Sequence, residues 1–287
     1  MISLVVSTLG RVDELDRFFT SLDSQTSSDF EVVLVDQNDD DRLVAVLQRH
    51  PGLRVRHLRS GRGVSRARNV GLAHAWGEIL AIPDDDCWYP LDLLATVSKW
   101  FQLHAEYAGL SAIKRDADNN PVGPKWPGTQ REINKSNVFD CAISSTIFLR
   151  RVVTSRVGTF DERIGVGAAT RYQSGEETEY LLRALEYGFR LWYDPAITVH
   201  HPPLGSMDRL RRVTYPFALG TGYVLRAHGY SWLEFSGFLA RSLGGAALSL
   251  SRGNFAMSHI YLLRAAGQLR GYLFGPSDLR RASRPAN

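Results

Sequence analysis

The sequence predicts an α/β fold with a doubly wound, mostly parallel sheet and a helical appendage at the C-terminus. Strand-like apolar runs alternate with helical periodicity over about the first 85 residues, which is typical of parallel sheets covered by helices. Acidic or hydroxyl residues stand at the ends of several of those runs. After about residue 206 the pattern changes to long, basic helical stretches.

The chain has 287 residues, of which 44% are hydrophobic and 22% charged, an ordinary globular composition. Its two cysteines form no pattern of pairs, which favours a reducing compartment. Residues 2–8 are too short for a secretory h-region, and no apolar run approaches the roughly 20 residues of a membrane span. We therefore expect a cytoplasmic protein.

Charge divides the chain into two regions, 1–205 and 206–287. From Gly205 onward there are eleven Arg and three acids, a net of +8 against +4 for the whole chain, so residues 1–204 carry −4. Arg-rich amphipathic helices can lie on the inner, anionic face of the cell membrane. They can equally pack on the core or on a second subunit of a homodimer. Nucleic acid is not expected, because the Arg residues are dispersed and no binding module is visible.

The predicted strands of the first half are residues 2–8, 31–36, 53–58, 79–82 and 107–113. Helices are predicted between them at about 12–22, 43–50, 65–76 and 90–104. Ser65 is the predicted N-cap of the third helix, and Pro90 is placed in the first turn of the fourth.

The second half is less regular. Residues 124–142 show no periodicity and are predicted to be a loop over the ligand crevice. The Gly-rich segment 163–175 is predicted to be a mobile loop. Further elements are predicted at 145–149 (strand), at 176–187 (helix), around Asp194-Pro195 (extended), and at 207–228, 232–251 and 254–273 (helices).

Polar side chains end three of the predicted strands. Thr8 and Asp36 end the first two, and Asp84, Asp85 and Asp86 follow the fourth. Ligands of α/β sheets bind beyond the carboxyl ends of strands. Three adjacent carboxylates repel one another unless a cation meets them. Hard cations such as Mn²⁺ and Mg²⁺ are commonly held by carboxylates together with substrate phosphates. The alternative to a metal site is that these three acids only form the acidic first turn of the following helix.

A series of short motifs runs through residues 1–205. They are Val5-Val6-Ser7-Thr8, Gln25, Val33–Asp36, Ala67-Arg68-Asn69-x-Gly71, Gly77-Glu78, Asp84–Asp86, Val157-Gly158-x-Phe160-Asp161-Glu162, Gly175-Glu176-Glu177, Arg183 and a closing His. In order and spacing this series resembles family 2 glycosyltransferases. The resemblance implies the A-type glycosyltransferase fold, an inverting mechanism, a nucleotide-diphosphate sugar donor and Mn²⁺ or Mg²⁺. Residues 1–205 would then be the nucleotide-sugar-binding and catalytic domain.

The resemblance assigns Thr8 and Asp36 to the nucleobase and ribose of the donor. Capping of the strand ends is the alternative for both residues. The family often has a second acid after the position of Asp36, but this chain has Gln37 there, so the resemblance does not identify the base. Arg68 resembles an arginine beside the nucleotide, with a structural salt bridge as its alternative. Asn69 is expected to orient a loop.

Within the acidic triplet, the resemblance makes Asp86 the metal ligand. Asp84 would support the ribose or a metal-bound water. Asp85 is placed with the donor-binding residues, with simple exposure to solvent as its alternative. His201 would complete the metal site, since its position matches the family better than that of His200, and imidazole is an acceptable ligand beside carboxylates.

An acceptor hydroxyl that attacks an anomeric carbon must lose its proton to a base. The resemblance gives this role to the second acid of the pair Glu176-Glu177, so Glu177 is the predicted base and Glu176 the second candidate. Glu177 is one methylene longer than the usual Asp. The alternative is that both acids only favour the positive end of a helix dipole.

For Trp126 the sequence leaves two roles open, and for Cys87 it predicts no catalytic role. Trp126 could stack on a sugar or fix its segment to the core. Cys87 has no identifiable base partner and is not expected to be a nucleophile.

The sequence thus predicts an inverting glycosyltransferase of cell-surface polysaccharide or glycolipid synthesis, acting on a saccharide or lipid-linked acceptor. One alternative is a sugar-nucleotide nucleotidylyltransferase, although only Gly10 of the expected Gly-rich phosphate loop follows the first strand. The other is a non-catalytic carbohydrate-binding protein on the same fold.

Overall fold

A computed structural model describes residues 1–123, 125–203 and 205–275. The chain forms two compact units. Of the described residues, those in 1–160 and 180–203 form the first unit, and those in 161–179 and 205–275 form the second. The end of the predicted basic region, residues 276–287, lies outside the described residues.

A mixed sheet forms the centre of the first unit, with eight strands among the described residues. They are β1 (Ile2–Thr8), β2 (Phe30–Asp36), β3 (Val55–Arg59), β4 (Ile79–Ala81), β5 (Gly109–Arg115), β6 (Arg131–Ile133), β7 (Ile147–Arg150) and β8 (Leu191–His200). Their order is β3-β2-β1-β4-β7-β5-β8-β6. Strand β7 is antiparallel to β4 and β5, and β6 is antiparallel to β8. The remaining pairs are parallel, so the carboxyl ends of β1–β5 and β8 meet at one edge.

Helices accompany this sheet as expected for an α/β fold. They are α1 (Asp13–Asp23), α2 (Val44–Arg49), α3 (Val64–His74), α4 (Leu93–Leu103), α5 (Val138–Cys141), α6 (Arg151–Val157) and α7 (Glu176–Glu186), the last of which crosses the boundary between the two units. Strand β2 is buried along its whole length, and α1 buries Leu15, Phe18, Phe19 and Leu22. This apolar core holds the strand ends in place.

Helix α3 lies close against the sheet because Gly71 has no side chain. A Cβ atom at Gly71 would lie 2.3 Å from Val5 Cγ1 and 3.1 Å from Val35 Cγ2. Any larger residue would force the helix away from β1 and β2. The glycine therefore sets the distance between α3 and the two strands that end in Thr8 and Asp36.

The fold class is confirmed, and three local predictions are wrong. Residues 124–142 are not only a loop, because they contain the edge strand β6 and the short helix α5. Ser65 is not an N-cap: α3 begins at Val64 after Gly63, whose φ of 122° suits glycine, and Ser65 is buried inside the helix. Pro90 precedes α4, which begins at Leu93.

Three long helices dominate the second unit, and their predicted positions are confirmed. They are α8 (Met207–Ala227), α9 (Trp232–Ser251) and α10 (Phe255–Phe274). Ser231 and Glu234 form a capping box at the start of α9, and Asn254 caps α10. Gly222 and Gly271 let the backbones of α8 and α10 approach closely, since a Cβ on either would lie 2.2 Å from a carbonyl oxygen of the facing helix.

None of the helices in the described part of the chain has both the length and the apolar character needed to cross a membrane.

Candidate metal and nucleotide site

The acidic triplet extends the inner strands of the sheet. Asp84 follows β4 and makes a parallel bridge with Ser7 of β1. The peptide of Asp84 is thereby held at the carboxyl edge where the parallel strands end. The Ser144 hydroxyl donates a hydrogen bond of 3.1 Å to Asp84 Oδ1, which fixes the orientation of this carboxylate.

Asp84, Asp86 and His201 form a compact group of ligand atoms, all within 4.8 Å of one another. His201 Nε2 lies 3.1 Å from Asp86 Oδ1 and 3.8 Å from Asp84 Oδ2. His201 Nδ1 lies 2.7 Å from the carbonyl oxygen of Pro202. Because a carbonyl only accepts, Nδ1 must carry a hydrogen, so in the neutral ring the lone pair of Nε2 faces two carboxylates. A bound cation would relieve that repulsion, and two carboxylates with one imidazole suit Mn²⁺ or Mg²⁺.

The backbone decides which of the two histidines joins this group. Trp88 and His200 exchange two hydrogen bonds of 3.0 Å in an antiparallel bridge. The His200 ring stacks on Trp88 at a centroid distance of 5.3 Å, and its Nδ1 lies 3.1 Å from the carbonyl oxygen of Asp116. His201, the next residue, therefore points to the acidic triplet.

Arg11 is a cation of this site that the sequence analysis missed. Its guanidinium lies 2.9 Å from Asp85 Oδ1 and pairs with Asp86 Oδ2. It stands in the turn between β1 and α1, three residues after Thr8. A basic residue just beyond a strand end is the only signal in the sequence, and it gives no indication of a contact 74 residues away.

Asp85 and Asp86 ionise differently. Burial raises the pKa of Asp85 to about 6, against the opposing charge of Arg11. Burial also acts to raise the pKa of Asp86, but His201 and Arg11 outweigh it and hold this pKa below its ordinary range. Asp85 does not face solvent, because only 7% of it is exposed. That alternative from the sequence was wrong.

Arg68 and Asn69 of α3 have different roles. Arg68 is buried, and its guanidinium lies 3.8 Å from Asp84 Oδ1 and 5.6 Å from the centroid of the Phe160 ring. The Asn69 amide donates to the Phe160 carbonyl oxygen and accepts from the Phe160 N–H. Asn69 therefore orients the chain at Phe160, as expected, while Arg68 brings a positive charge to the acidic edge.

Thr8 and Asp36 end the paired strands β1 and β2 side by side. Asp36 is fully buried, and its carboxylate accepts from Asn38, with His57 and Arg59 at 3.0 Å. This network is the structural role that the sequence analysis left open for Asp36. A ribose hydroxyl would have to share this carboxylate with protein donors.

Glu176 and Glu177 belong to the second unit, at the start of α7. Gly175 precedes them with a φ of 94°, so the chain turns sharply into the helix. Glu176 is buried, whereas Glu177 is partly exposed. The structure leaves their catalytic role a prediction.

Cys87 and Trp126 are parts of the core. Burial raises the pKa of the Cys87 thiol well above its ordinary value, which suits no nucleophile. The Trp126 ring stacks on Tyr193 with centroids 5.8 Å apart, and its indole N–H donates to the carbonyl oxygen of Val122. Trp126 therefore fixes its segment to the core.

Fold and site together define an α/β protein with an acidic, metal-compatible centre at the carboxyl edge of its sheet. The sequence profile of Glycosyl transferase family 2 matches residues 3–158, more than half of the chain. The chain belongs to this family, and the resemblance seen in the sequence is confirmed.

Curated relatives are similar over part of their length. An uncharacterized glycosyltransferase of Haemophilus influenzae is 34% identical over 198 residues, which cover 65% of this chain and 62% of the relative. A PGL/p-HBAD biosynthesis glycosyltransferase of Mycobacterium tuberculosis is 29% identical over 174 residues, covering 58% of this chain and 65% of the relative. The chain thus spans less than two thirds of the length of these proteins.

Solved structures share the fold. The mannosyltransferase PcManGT of Pyrobaculum calidifontis, solved with GDP-Man and Mn²⁺, matches with a TM-score of 0.62 at 19% identity, over 93% of this chain and 86% of that one. S. aureus TarS 1–349 in complex with UDP-GlcNAc matches with a TM-score of 0.56 at 17% identity, over 94% and 89%. At these identities the likeness supports the A-type fold alone.

Proposed function

We propose that the protein is a metal-dependent glycosyltransferase that moves a sugar, with inversion, from a nucleotide-diphosphate donor to an acceptor hydroxyl. The observation that carries this proposal is the group formed by Asp84, Asp86 and His201 at the carboxyl edge of the sheet, in a chain of family 2. The solved structures in complex with GDP-Man and Mn²⁺ or with UDP-GlcNAc support a nucleotide-sugar donor.

The donor side of the reaction needs positive charge. Mn²⁺ or Mg²⁺ held by Asp84, Asp86 and His201 would supply charge against the departing diphosphate. The low pKa of Asp86 keeps this carboxylate ionised for that purpose. Arg68 is buried beside Asp84 and would donate hydrogen bonds to the phosphate oxygens. Thr8 and Asp36 would contact the nucleoside from the ends of β1 and β2.

Glu177 is the proposed base that takes the proton of the acceptor hydroxyl. Its partial exposure, compared with the burial of Glu176, supports this choice because a base must reach its substrate. A helix N-terminus favours the ionised carboxylate that a base requires. Attack of the acceptor oxygen from the face opposite the diphosphate would then invert the anomeric centre in one displacement.

We further propose that the acceptor is a saccharide or lipid-linked sugar of cell-surface polysaccharide or glycolipid synthesis, and that α9 and α10 contact the inner, anionic surface of the cell membrane. Leu233, Phe255 and Phe274 are 83%, 71% and 66% exposed. Residues 232–275 carry four Arg and one acid, Glu234. Apolar side chains between Arg residues suit a lipid surface. A second subunit is the alternative partner of this surface.

The experiment begins with a thermal-shift screen of UDP-, GDP- and dTDP-sugars with Mn²⁺, because a ligand of the folded state raises its melting temperature. Turnover is then measured as release of the nucleoside diphosphate. Asp86→Asn should lose Mn²⁺ binding and Mn²⁺-dependent donor binding. Glu177→Gln should retain donor binding and lose transfer by a factor of about 10² to 10⁴, with Glu176→Gln as its matched control.

Three results would contradict the proposal. Unchanged Mn²⁺ affinity in Asp86→Asn would exclude the metal site. Full turnover in Glu177→Gln would exclude this base. A wild-type protein that binds donor with Mn²⁺ but never releases the diphosphate would be a binding protein and not an enzyme.

A further inference from the structure

Both oxygens of the Asp86 carboxylate have a nitrogen-bearing neighbour, and the one at Oδ2 carries a fixed positive charge. His201 Nε2 lies 3.1 Å from Oδ1, and the guanidinium of Arg11 pairs with Oδ2. Arg11 also binds Asp85 Oδ1 at 2.9 Å. Oδ2 of Asp86 is therefore already paired with a protein cation, whereas Oδ1 faces another proposed ligand of the same metal ion.

The Arg11 guanidinium can pair with Asp85 and Asp86, and it can also move away from them without a change in the backbone. The peptide of Gly10 donates a hydrogen bond of 2.8 Å to Asn38 Oδ1, which anchors the turn between β1 and α1. The Arg11 side chain itself is 29% exposed, whereas those of Asp85 and Asp86 are 10% exposed. The backbone is thus fixed, and the guanidinium reaches the buried acids from the solvent side.

A second arginine approaches the same residue without touching a carboxylate. Arg17 Nη2 donates a hydrogen bond of 2.8 Å to the backbone oxygen of Asp86, and its guanidinium lies 4.5 Å from the centroid of the Trp88 ring. The two arginines carry the same charge near the same residue. Of these two arginines, Arg11 is the one that contacts a carboxylate oxygen of Asp86.

Competition follows from elementary electrostatics. A guanidinium cannot lose its proton in proteins, so Arg11 keeps its charge at every physiological pH. A divalent cation at Asp86 Oδ2 would have to break that ion pair and would then stand beside a like charge. A diphosphate offers the guanidinium new acceptor oxygens with suitable geometry.

We propose that Arg11 is the internal countercation of the acidic triplet: it competes with the divalent cation for Asp86 and turns to the donor diphosphate when the cation binds. This inference rests on the proposed function. It makes the metal alone a weak ligand, and it makes metal and donor bind cooperatively. The protein would thus avoid holding a metal ion before its donor arrives.

Mn²⁺ binding in the absence of nucleotide tests the competition, measured by the EPR signal of free Mn²⁺ on the full chain. Arg11→Gln should bind Mn²⁺ about tenfold more tightly than the wild type, the size expected for loss of one charge-assisted contact. Arg17→Gln should stay within about twofold of the wild type. Arg11→Lys keeps the charge but replaces the Nη1 that pairs with both Asp85 and Asp86 by a more flexible ammonium, so its Mn²⁺ affinity should fall between those of Arg11→Gln and the wild type.

The second half of the proposal is that Arg11 turns to the diphosphate. It is tested by the affinity, at saturating Mn²⁺, for the nucleoside diphosphate that the donor screen selects. This affinity should fall in Arg11→Gln, opposite in sign to the change for Mn²⁺ alone. Equal or weaker Mn²⁺ binding by folded Arg11→Gln, or an equal gain in Arg17→Gln, would overturn the competition. Unchanged nucleotide affinity would overturn the transfer to the diphosphate. Loss of Mn²⁺ binding in Asp86→Asn while Arg11→Gln matches the wild type would refute this inference and leave the proposed function standing.

Discussion

Replacing Gly71 by alanine should destabilise the first unit, although alanine is the better helix former. In an exposed helix the substitution would gain about 1 kcal/mol. Here the new methyl group would lie 2.3 Å from Val5 Cγ1, whereas carbon atoms pack at about 3.5–4.0 Å. Overpacking of this kind costs about 1–3 kcal/mol and sometimes more. Because 2.3 Å is far inside the contact distance, the cost lies at the upper end of that range, about 3 kcal/mol, and after the gain of about 1 kcal/mol we expect a net loss of about 2 kcal/mol in the free energy of unfolding.

Urea denaturation followed by tryptophan fluorescence measures this loss, with the m-value as a check on two-state behaviour. A double-mutant cycle with Val5→Ala sharpens the test, because that variant removes the methyl group that the alanine would strike. The two substitutions together should cost at least about 1 kcal/mol less than the sum of the single ones. Additive effects, or a Gly71→Ala protein as stable as the wild type, would refute the packing argument.

Two further predictions concern the metal site and the helices of the second unit. His201→Gln should lower Mn²⁺ affinity by at least about tenfold. His200→Gln should change it less than twofold, because the His200 ring stacks on Trp88. Titration with Mn²⁺ measures both affinities, and equal effects would exclude His201 as the ligand. Wild-type protein should sediment with vesicles containing phosphatidylglycerol and less with pure phosphatidylcholine, and Leu233→Asp with Phe255→Asp should abolish sedimentation. A wild type that stays in the supernatant would exclude the membrane contact.

The elements with strong periodicity could be predicted from sequence. Strand β2 is buried on both faces, so it appears as an unbroken apolar run. Helices α8 to α10 are long and carry regular apolar positions, which fixes their ends to within one or two residues. Strand β6 was missed because its sequence, Arg131-Glu132-Ile133, is short and mostly charged. Its pairing with β8 is a long-range property that no local pattern contains.

The site was predictable only in part. The strand-end rule put Asp84–Asp86 at the ligand edge, but it did not separate the three carboxylates. Their different pKa values depend on burial and on Arg11, which is distant in sequence. The preference for His201 over His200 came from resemblance, and the bridge between Trp88 and His200 explains why His201 is the histidine that lies beside Asp84 and Asp86. Its role as a metal ligand stays a prediction. For Cys87 the sequence showed only that no base partner was identifiable. Burial, which raises the pKa of its thiol, is a physical reason that only the structure supplies.

The candidate metal-binding group joins residues that are distant in the chain. Asp86 and His201 are 115 positions apart in the chain, and they meet only after β8 has paired with β5. During synthesis the N-terminal strands would leave the ribosome long before the histidine is made. A nascent or truncated chain ending before β8 would display an unfinished acidic cluster with no imidazole. The proposed metal site therefore predicts that Mn²⁺ is bound late in folding, so that Mn²⁺ binding in refolding experiments would report when β8 joins the sheet.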